Sequence, residues 1–147
     1  MKGTYCLIIE LKRDNQIKIG KLGEIDFKKG FYVYVGSALN SLEGRVKRHL
    51  SSNKKTFWHV DYLLKHPDCE IRDVMVVINP EKIECSLASL ILKESQPLPG
   101  FGCSDCKCPS HLFYFFKIRD AVDCVSNSFK KLKLDPHHWN DLKNDLN

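Results

Sequence analysis

The chain has no long hydrophobic run, no internal repeat and no low-complexity tract. A membrane-spanning helix needs about 20 consecutive apolar residues, and no stretch approaches that length. The first residues also lack the apolar core of a secretory signal peptide. These absences argue against a membrane protein, a repeat protein and a secreted protein, and they predict a globular protein of the cytoplasm.

A disulfide framework is not expected either. The chain has 7 cysteines, which is an odd number, and no secretory segment accompanies them. Reduced thiols inside the cell are therefore the better interpretation. Cys6 and Cys85 lie in periodic apolar segments, and we predict that both are small core residues.

Four soft-metal ligands fall within nine residues near the C-terminal third of the chain, at Cys103, Cys106, Cys108 and His111. Structural zinc generally draws on two separated ligand pairs, and the one-residue gap between Cys106 and Cys108 is a strained spacing for one ion. We therefore expect thiols without tightly bound zinc, and a zinc site is the less favoured interpretation.

The length and the charge indicate one domain with an affinity for anions. At 147 residues the chain can bury a single core unaided, and 43% hydrophobic with 28% charged residues is an ordinary globular composition. The formal net charge is +5. Basic side chains concentrate in residues 43–55. This segment has one acidic residue, Glu43, and five basic residues, Arg45, Lys47, Arg48, Lys54 and Lys55. Such a patch suits the phosphate backbone of a nucleic acid.

A strand, a turn and a basic helix follow one another in residues 30–50. Residues 30–36 are aromatic and β-branched, which favours a strand, and Gly36 frees the backbone to turn. The helix predicted from Ser41 to Leu50 has a cationic side with Arg45, Arg48 and His49. Its apolar stripe is formed by Leu42, Val46 and Leu50. The plainer alternative is a buried strand before a solvated helix face.

The remaining patterns predict an α+β fold in which a small, mostly antiparallel sheet is flanked by helices. Strands are expected at residues 3–11, 16–20, 24–27, 71–78 and 112–118. Helices are expected at residues 58–65 and 82–94, the second with Asn79 as its cap and Pro80 in its first turn. Residues 1–118 would form the domain, and residues 119–147 a helical extension of it.

Short motifs in this framework resemble the GIY-YIG nuclease superfamily. They are Gly3-Thr4-Tyr5 in the first strand, the run from Tyr34 to Ala38, then Arg45 and His49, and the downstream Glu84. The stretch from Lys2 to about Phe116 resembles more closely a small GIY-YIG-like domain family that is sometimes fused to DNA-repair glycosylases. That likeness is carried by residues 57–64, Glu84-Cys85 and residues 100–106.

The resemblance implies a hairpin between the two motifs and a divalent cation at Glu84. Tyr5 and Tyr34 are 29 positions apart. This is about twice the separation of the two motifs in the best-known members of the superfamily, so we expect a hairpin inserted between the motif strands. By analogy Glu84 would hold one Mg²⁺, a cation that commonly takes only one or two protein carboxylates. From the residue alone, Glu84 would merely stabilise the start of a helix.

The resemblance also implies a set of catalytic and binding side chains. Tyr5 or Tyr34 would accept the proton of the attacking water, Arg45 would steady the phosphate, and His49 would bind a phosphate oxygen or relay a proton. Half-buried strand aromatics and a surface histidine are the plainer interpretations. Supporting candidates are Tyr32, His59, Tyr62, Ser104 and Asp105, the last two where an asparagine is more usual. Nucleic-acid contacts are expected from Gly36, Ser37, Lys47, Arg48, Lys54 and Lys55.

The sequence-based hypothesis is a Mg²⁺-dependent endonuclease that acts in DNA repair or processing. Its substrate is a nucleic acid, and DNA is favoured over RNA. A partner protein would supply specificity, because so small a nuclease carries no domain for it. A non-catalytic module that binds DNA or RNA is the alternative, although it would have no need of Glu84. A third interpretation is an adaptor that uses the cysteine loop, stabilised by zinc, to contact a protein.

Overall fold

A computed structural model describes residues 1–103 and 106–146 of the chain. The strands are β1 (Gly3–Leu11), β2 (Asn15–Lys18), β3 (Glu24–Phe27), β4 (Gly30–Ala38), β5 (Cys69–Ile78), β6 (Gln96–Pro97), β7 (Leu112–Phe115) and β8 (His137–His138). The helices are α1 (Leu42–Leu50), α2 (His59–Leu64), α3 (Glu84–Leu92), α4 (Ile118–Lys131) and α5 (Trp139–Leu146). Within this part of the chain, no helix is long and apolar enough to cross a membrane.

Six strands form one antiparallel sheet in the order β6-β7-β4-β1-β5-β8. β1 lies in the middle and is buried along almost its whole length, because its two faces both contact helices. Helices α1, α2 and α5 pack on the face that carries Tyr5, Leu7 and Ile9. Helices α3 and α4 pack on the face that carries Cys6 and Ile8. The predicted α+β class with a mostly antiparallel sheet is confirmed.

The hairpin expected between the two motif strands is present. β2 and β3 pair antiparallel as a separate two-stranded sheet, and Ile17 and Phe27 bury its inner face against the core. β4 then returns to pair with β1 along nine residues, from Gly3 opposite Ala38 to Leu11 opposite Gly30. The insertion therefore lengthens the connection without separating the motif strands.

Helix α1 differs from the prediction in which side chain completes its apolar stripe. Leu50 is 47% exposed, whereas His49 is 2% exposed and packs with Leu42 and Val46. Positions 42, 46 and 49 are spaced by four and three residues and so share one face, while position 50 turns away. The histidine, which sequence alone placed on the cationic side, is thus an inward-facing residue.

Three element boundaries were also wrong. α3 begins at Glu84 and ends at Leu92, because the side chain of Asn79 accepts a hydrogen bond from the Glu81 amide in a local turn instead of capping a helix. The strand expected at residues 112–118 ends at Phe115, and Ile118 already begins α4. The helical extension predicted at residues 119–147 holds two helices, α4 and α5, separated by β8.

Candidate functional site

A cavity of about 620 Å³ lies at the end of the sheet where β1 begins and β4 ends. It brings together side chains from β1, β4, α1 and α3, although these elements are far apart in the sequence. Its lining includes Tyr5, Tyr34, Gly36, Ser37, Arg45, Trp58, Lys82, Glu84, Cys85, Cys106 and His111. The catalytic and metal candidates Tyr5, Tyr34, Arg45 and Glu84 therefore share one cavity, together with Gly36, Ser37, Cys106 and His111, which were also named from sequence.

Another depression, of about 700 Å³, lies between α3, β7 and α4. Among the residues that the structure describes, none of the predicted site residues lines it. Glu94, Asp120 and Asp123 contribute three carboxylates to its wall. Such a surface repels phosphate, so the cavity at the motif strands is the better candidate for nucleic-acid chemistry.

Tyr5 occupies its position because its strand partner has no side chain. Tyr5 lies opposite Gly36 in the β1–β4 register. A Cβ atom at position 36 would overlap the phenol ring and hydroxyl of Tyr5. The glycine of the second motif thus makes room for the tyrosine of the first.

The Tyr5 hydroxyl forms a buried hydrogen bond of 2.7 Å with Nε2 of His49. Burial raises the pKa of Tyr5 above its ordinary value, and Arg45 offsets this only in part. Burial also lowers the pKa of His49 to about 4, so the imidazole is neutral at pH 7. A neutral imidazole with its proton on Nδ1 accepts a hydrogen bond from the Tyr5 hydroxyl at Nε2. Nδ1 of His49 is buried without a hydrogen-bond partner among the described residues.

Tyr34 reaches the same cavity from β4 and is also buried. Its ring contacts His49 and Phe101 at centroid distances of 6.1 and 6.3 Å. Burial raises the pKa of its hydroxyl, and the neighbouring Tyr5 adds to the effect. Both phenols are therefore protonated at neutral pH in the ligand-free protein.

Two arginines of α1 lie against the Trp58 ring, but only one of them lines the cavity. Arg45 donates to the Ser37 carbonyl at 3.0 Å, and its guanidinium carbon is 4.5 Å from the Trp58 ring centroid. The Arg48 guanidinium carbon is 4.2 Å from the same centroid. Arg45 remains at the cavity wall beside the Tyr5 hydroxyl, where the Ser37 carbonyl and the indole ring help to orient its charge.

Arg48 is committed to a buried ion pair. Its two terminal nitrogens donate to the two oxygens of Asp61 at 3.1 and 3.0 Å. Asp61 is fully buried and also accepts from the backbone amides of Phe57 and Trp58. Burial alone would raise the pKa of Asp61, but these hydrogen bonds outweigh it and lower the pKa. The pair attaches α2 to α1 and holds Trp58 at the cavity.

Glu84 opens α3 and turns its carboxylate to the cavity. The Lys82 ammonium pairs with that carboxylate at 3.2 Å. The Glu84 side chain is only 16% exposed, whereas that of Lys82 is 57% exposed, so the carboxylate is recessed and the ammonium reaches it from the surface. Lys82 is a cavity residue that the sequence interpretation did not name.

A metal-ligating cluster lies beside Glu84. Ligand atoms of Cys85, Cys106, Cys108 and His111 all lie within 4.8 Å of one another. Cys85 is exposed at the start of α3, so its prediction as a core residue was wrong, whereas Cys6 is buried as predicted. Sequence spacing had placed Cys103 in the ligand set. In the structure Cys85 takes its place, because the start of α3 lies next to the loop that carries Cys106 and Cys108.

Several other candidates lie outside the cavity lining. The Tyr32 hydroxyl donates to the Lys28 carbonyl, and Tyr62 packs over Gly20. His59 accepts a hydrogen bond from the Gly102 amide, so it holds the glycine-rich loop at residues 100–102 in place and does not itself line the cavity. Lys54 folds back onto the carbonyls of His49 and Ser51. Lys47 and Lys55 are exposed near the cavity helix, and Ser104 and Asp105 lie outside the described residues.

Trp58, Lys82 and Cys85 are cavity residues whose place there the sequence interpretation missed. Trp58 packs partly against the core and also lines the cavity between α1 and α2. Its position directly before a helix was the sequence signal that could have indicated a place near the surface.

A family model with the description "Domain of unknown function DUF123" matches residues 4–134. Neither the curated proteins nor the solved structures contain a significant match to this chain.

Proposed function

We propose that this chain, which belongs to the DUF123 family, is a metal-dependent endonuclease that hydrolyses phosphodiester bonds of nucleic acid, with DNA as the favoured substrate. The observation that carries the proposal is the convergence of Tyr5, Tyr34, Arg45 and Glu84 in one cavity. Phosphodiester hydrolysis needs a proton acceptor for water, a positive group at the phosphate and stabilisation of the leaving oxygen. The cavity offers a candidate for each of these tasks.

The carboxylate of Glu84 fits a hard divalent cation such as Mg²⁺. It is a recessed oxygen ligand on the wall of a polar cavity, where Mg²⁺ would compete with the Lys82 ammonium, and Mg²⁺ needs only one or two such groups besides water and phosphate oxygens. When bound, the cation would supply electrophilic stabilisation of charge on phosphate oxygens. Cys85 and its neighbours offer soft donors that suit Mg²⁺ poorly, so the catalytic cation of this proposal belongs at Glu84.

Tyr5 and His49 together form a proton relay. As water attacks phosphorus, Tyr5 Oη takes the water proton while its own proton moves across the 2.7 Å hydrogen bond to Nε2 of His49. This concerted transfer avoids a free tyrosinate, which burial disfavours. The cost is a buried imidazolium, and a phosphodiester anion in the cavity offsets that cost by attraction.

Arg45 is the group that stabilises the phosphate. Its guanidinium lines the cavity beside the Tyr5 hydroxyl, and it carries donors that match a phosphate oxygen pair. Trp58 and the Ser37 carbonyl restrict its rotamers, so little ordering is required when substrate arrives. The exposed Lys47 on the same helix extends the positive surface toward the flanking backbone.

A non-catalytic DNA- or RNA-binding module is the second candidate. It is favoured by the buried, protonated state of both tyrosines and by the Lys82 ammonium that already neutralises Glu84. Such a module would use Arg45 and the basic helix for affinity alone.

The test is a Mg²⁺-dependent cleavage assay on branched, nicked and single-stranded substrates with the Glu84→Gln variant. The substitution removes charge but little volume, so we expect lost cleavage with nearly intact folding and nucleic-acid binding. Glu81→Gln is the matched control, because Glu81 is exposed just before α3 and does not line the cavity. Undiminished cleavage by Glu84→Gln would exclude the metal role, and wild-type binding without cleavage of any substrate would favour the binding module.

A further inference from the structure

We propose that Cys85, Cys106, Cys108 and His111 bind a structural zinc ion that fastens the first turn of α3 to the loop before β7. The four ligand atoms lie within 4.8 Å of one another. Tetrahedral zinc with sulfur at about 2.3 Å and nitrogen at about 2.0 Å places its ligand atoms roughly 3.5–3.8 Å apart. A contraction of no more than about 1 Å therefore forms the site.

His111 is already oriented as a ligand. Its Nδ1 is 3.1 Å from the Val35 carbonyl oxygen, to which it donates, so the proton lies on Nδ1 and the lone pair on Nε2. Nε2 points at Cys106 Sγ at 3.3 Å, close to the separation of two zinc ligands. A histidine whose other nitrogen donates to a carbonyl is the usual arrangement around protein-bound zinc.

The geometry also removes the objection raised by the sequence spacing. Cys85 comes from another element, so the ligands approach from two directions instead of one tight loop. Lys107 is exposed while its neighbours Cys106 and Cys108 are partly buried, which places both sulfurs on the inner side of the loop. Cys103 directs its sulfur to the Phe101 carbonyl and also interacts with Cys106, but it is not one of the four clustered ligands.

Three sulfurs and one imidazole form a closed set of four protein ligands, which is typical of a structural zinc and leaves no position for substrate. The site has a direct link to the cavity, because Cys85 follows Glu84 and the cavity wall includes Cys106 and His111. A zinc here would connect α3 to β4 through the Val35 carbonyl. It would thereby hold Glu84 in place without taking part in the chemistry.

The first measurement is the metal content of the full chain, purified with a reductant through metal-free buffers. We expect about one zinc per chain and a lower thermal transition after removal by a chelator. We expect Cys85→Ser to lose the zinc. Cys103→Ser, a change in the same loop that spares the four ligands, keeps it. Zinc well below one equivalent in the wild type, or equal loss in both variants, would overturn the site.

Cobalt substitution of the wild-type protein provides a readout that does not depend on how the variants fold. Co²⁺ in place of zinc should give the intense visible bands of a tetrahedral site and thiolate-to-cobalt charge transfer. The weak spectrum of octahedral Co²⁺ would contradict the proposal. Neither measurement involves nucleic acid, so failure of the zinc site and failure of the nuclease proposal are distinguishable.

Discussion

Tyr5 and Gly36 are direct partners across β1 and β4, and the phenol of Tyr5 fills the space that a side chain at position 36 would need. The two short motifs are therefore one structural unit. The glycine admits the ring, and the ring reaches both the cavity and His49.

Gly36→Ala should displace Tyr5 and thereby reduce cleavage and stability. The added methyl group overlaps the ring in a fully buried position, and such overpacking costs about 1–3 kcal/mol of unfolding free energy. Denaturant unfolding and the cleavage assay measure the two effects. In a Tyr5→Ala background the same change should cost little, and full additivity of the two substitutions would show that the contact is unimportant.

Arg45→Ala should reduce turnover more than binding, because its proposed interaction strengthens as charge develops in the transition state. A loss of roughly 100-fold or more in the cleavage rate is expected. Lys47→Ala is the matched control on the exposed side of α1, where it should lower affinity and reduce the salt dependence by about one counterion. Equal, small effects of both changes would support the binding module instead.

Asp61→Asn should destabilise the whole domain. The carboxylate is fully buried and receives both nitrogens of Arg48 and two backbone amides, so the amide would leave Arg48 without its counter-charge. Removing one partner of a buried pair costs about 3–5 kcal/mol. Chemical denaturation measures the loss, and the exposed Asp26→Asn is the control. A change as small as that of the control would contradict this role of the pair.

Acidification should destabilise the protein through His49. Burial lowers the folded pKa of His49 to about 4, against about 6.5 in an unfolded chain. Asp61 opposes this shift, whereas Arg48, Lys54 and Arg45 reinforce it.

Between these two pKa values the unfolded chain binds a proton that folded His49 does not bind. Stability therefore falls as the pH decreases from about 6.5 to about 4, by up to about 3 kcal/mol from this residue. Denaturant titrations over this range should show a shallower slope for His49→Gln than for the wild type. Identical slopes would contradict a depressed pKa.

Local patterns were sufficient for most of the fold. Alternation and β-branched content located β1, β4 and β5, and the hairpin of β2 and β3 lies where the separation of Tyr5 and Tyr34 required an insertion. The strand patterns depend on neighbours within a few residues, so the sequence alone reveals them, whereas the hairpin followed from the separation of the two motifs. The start of α3 was misplaced because Asn79 makes a local turn that competes with a helix cap.

The identities of Tyr5, Tyr34, Arg45 and Glu84 as candidates came from the sequence, but their meeting in one cavity is a property of the tertiary structure. The same holds for His49, which faces inward because β1 and β4 supply a core for that side of α1. Cys85 replaces Cys103 in the metal cluster because packing on the sheet brings the start of α3 to the cysteine loop. Sequence periodicity determines which residues share a face of one element, whereas contacts between distant elements depend on how those faces pack.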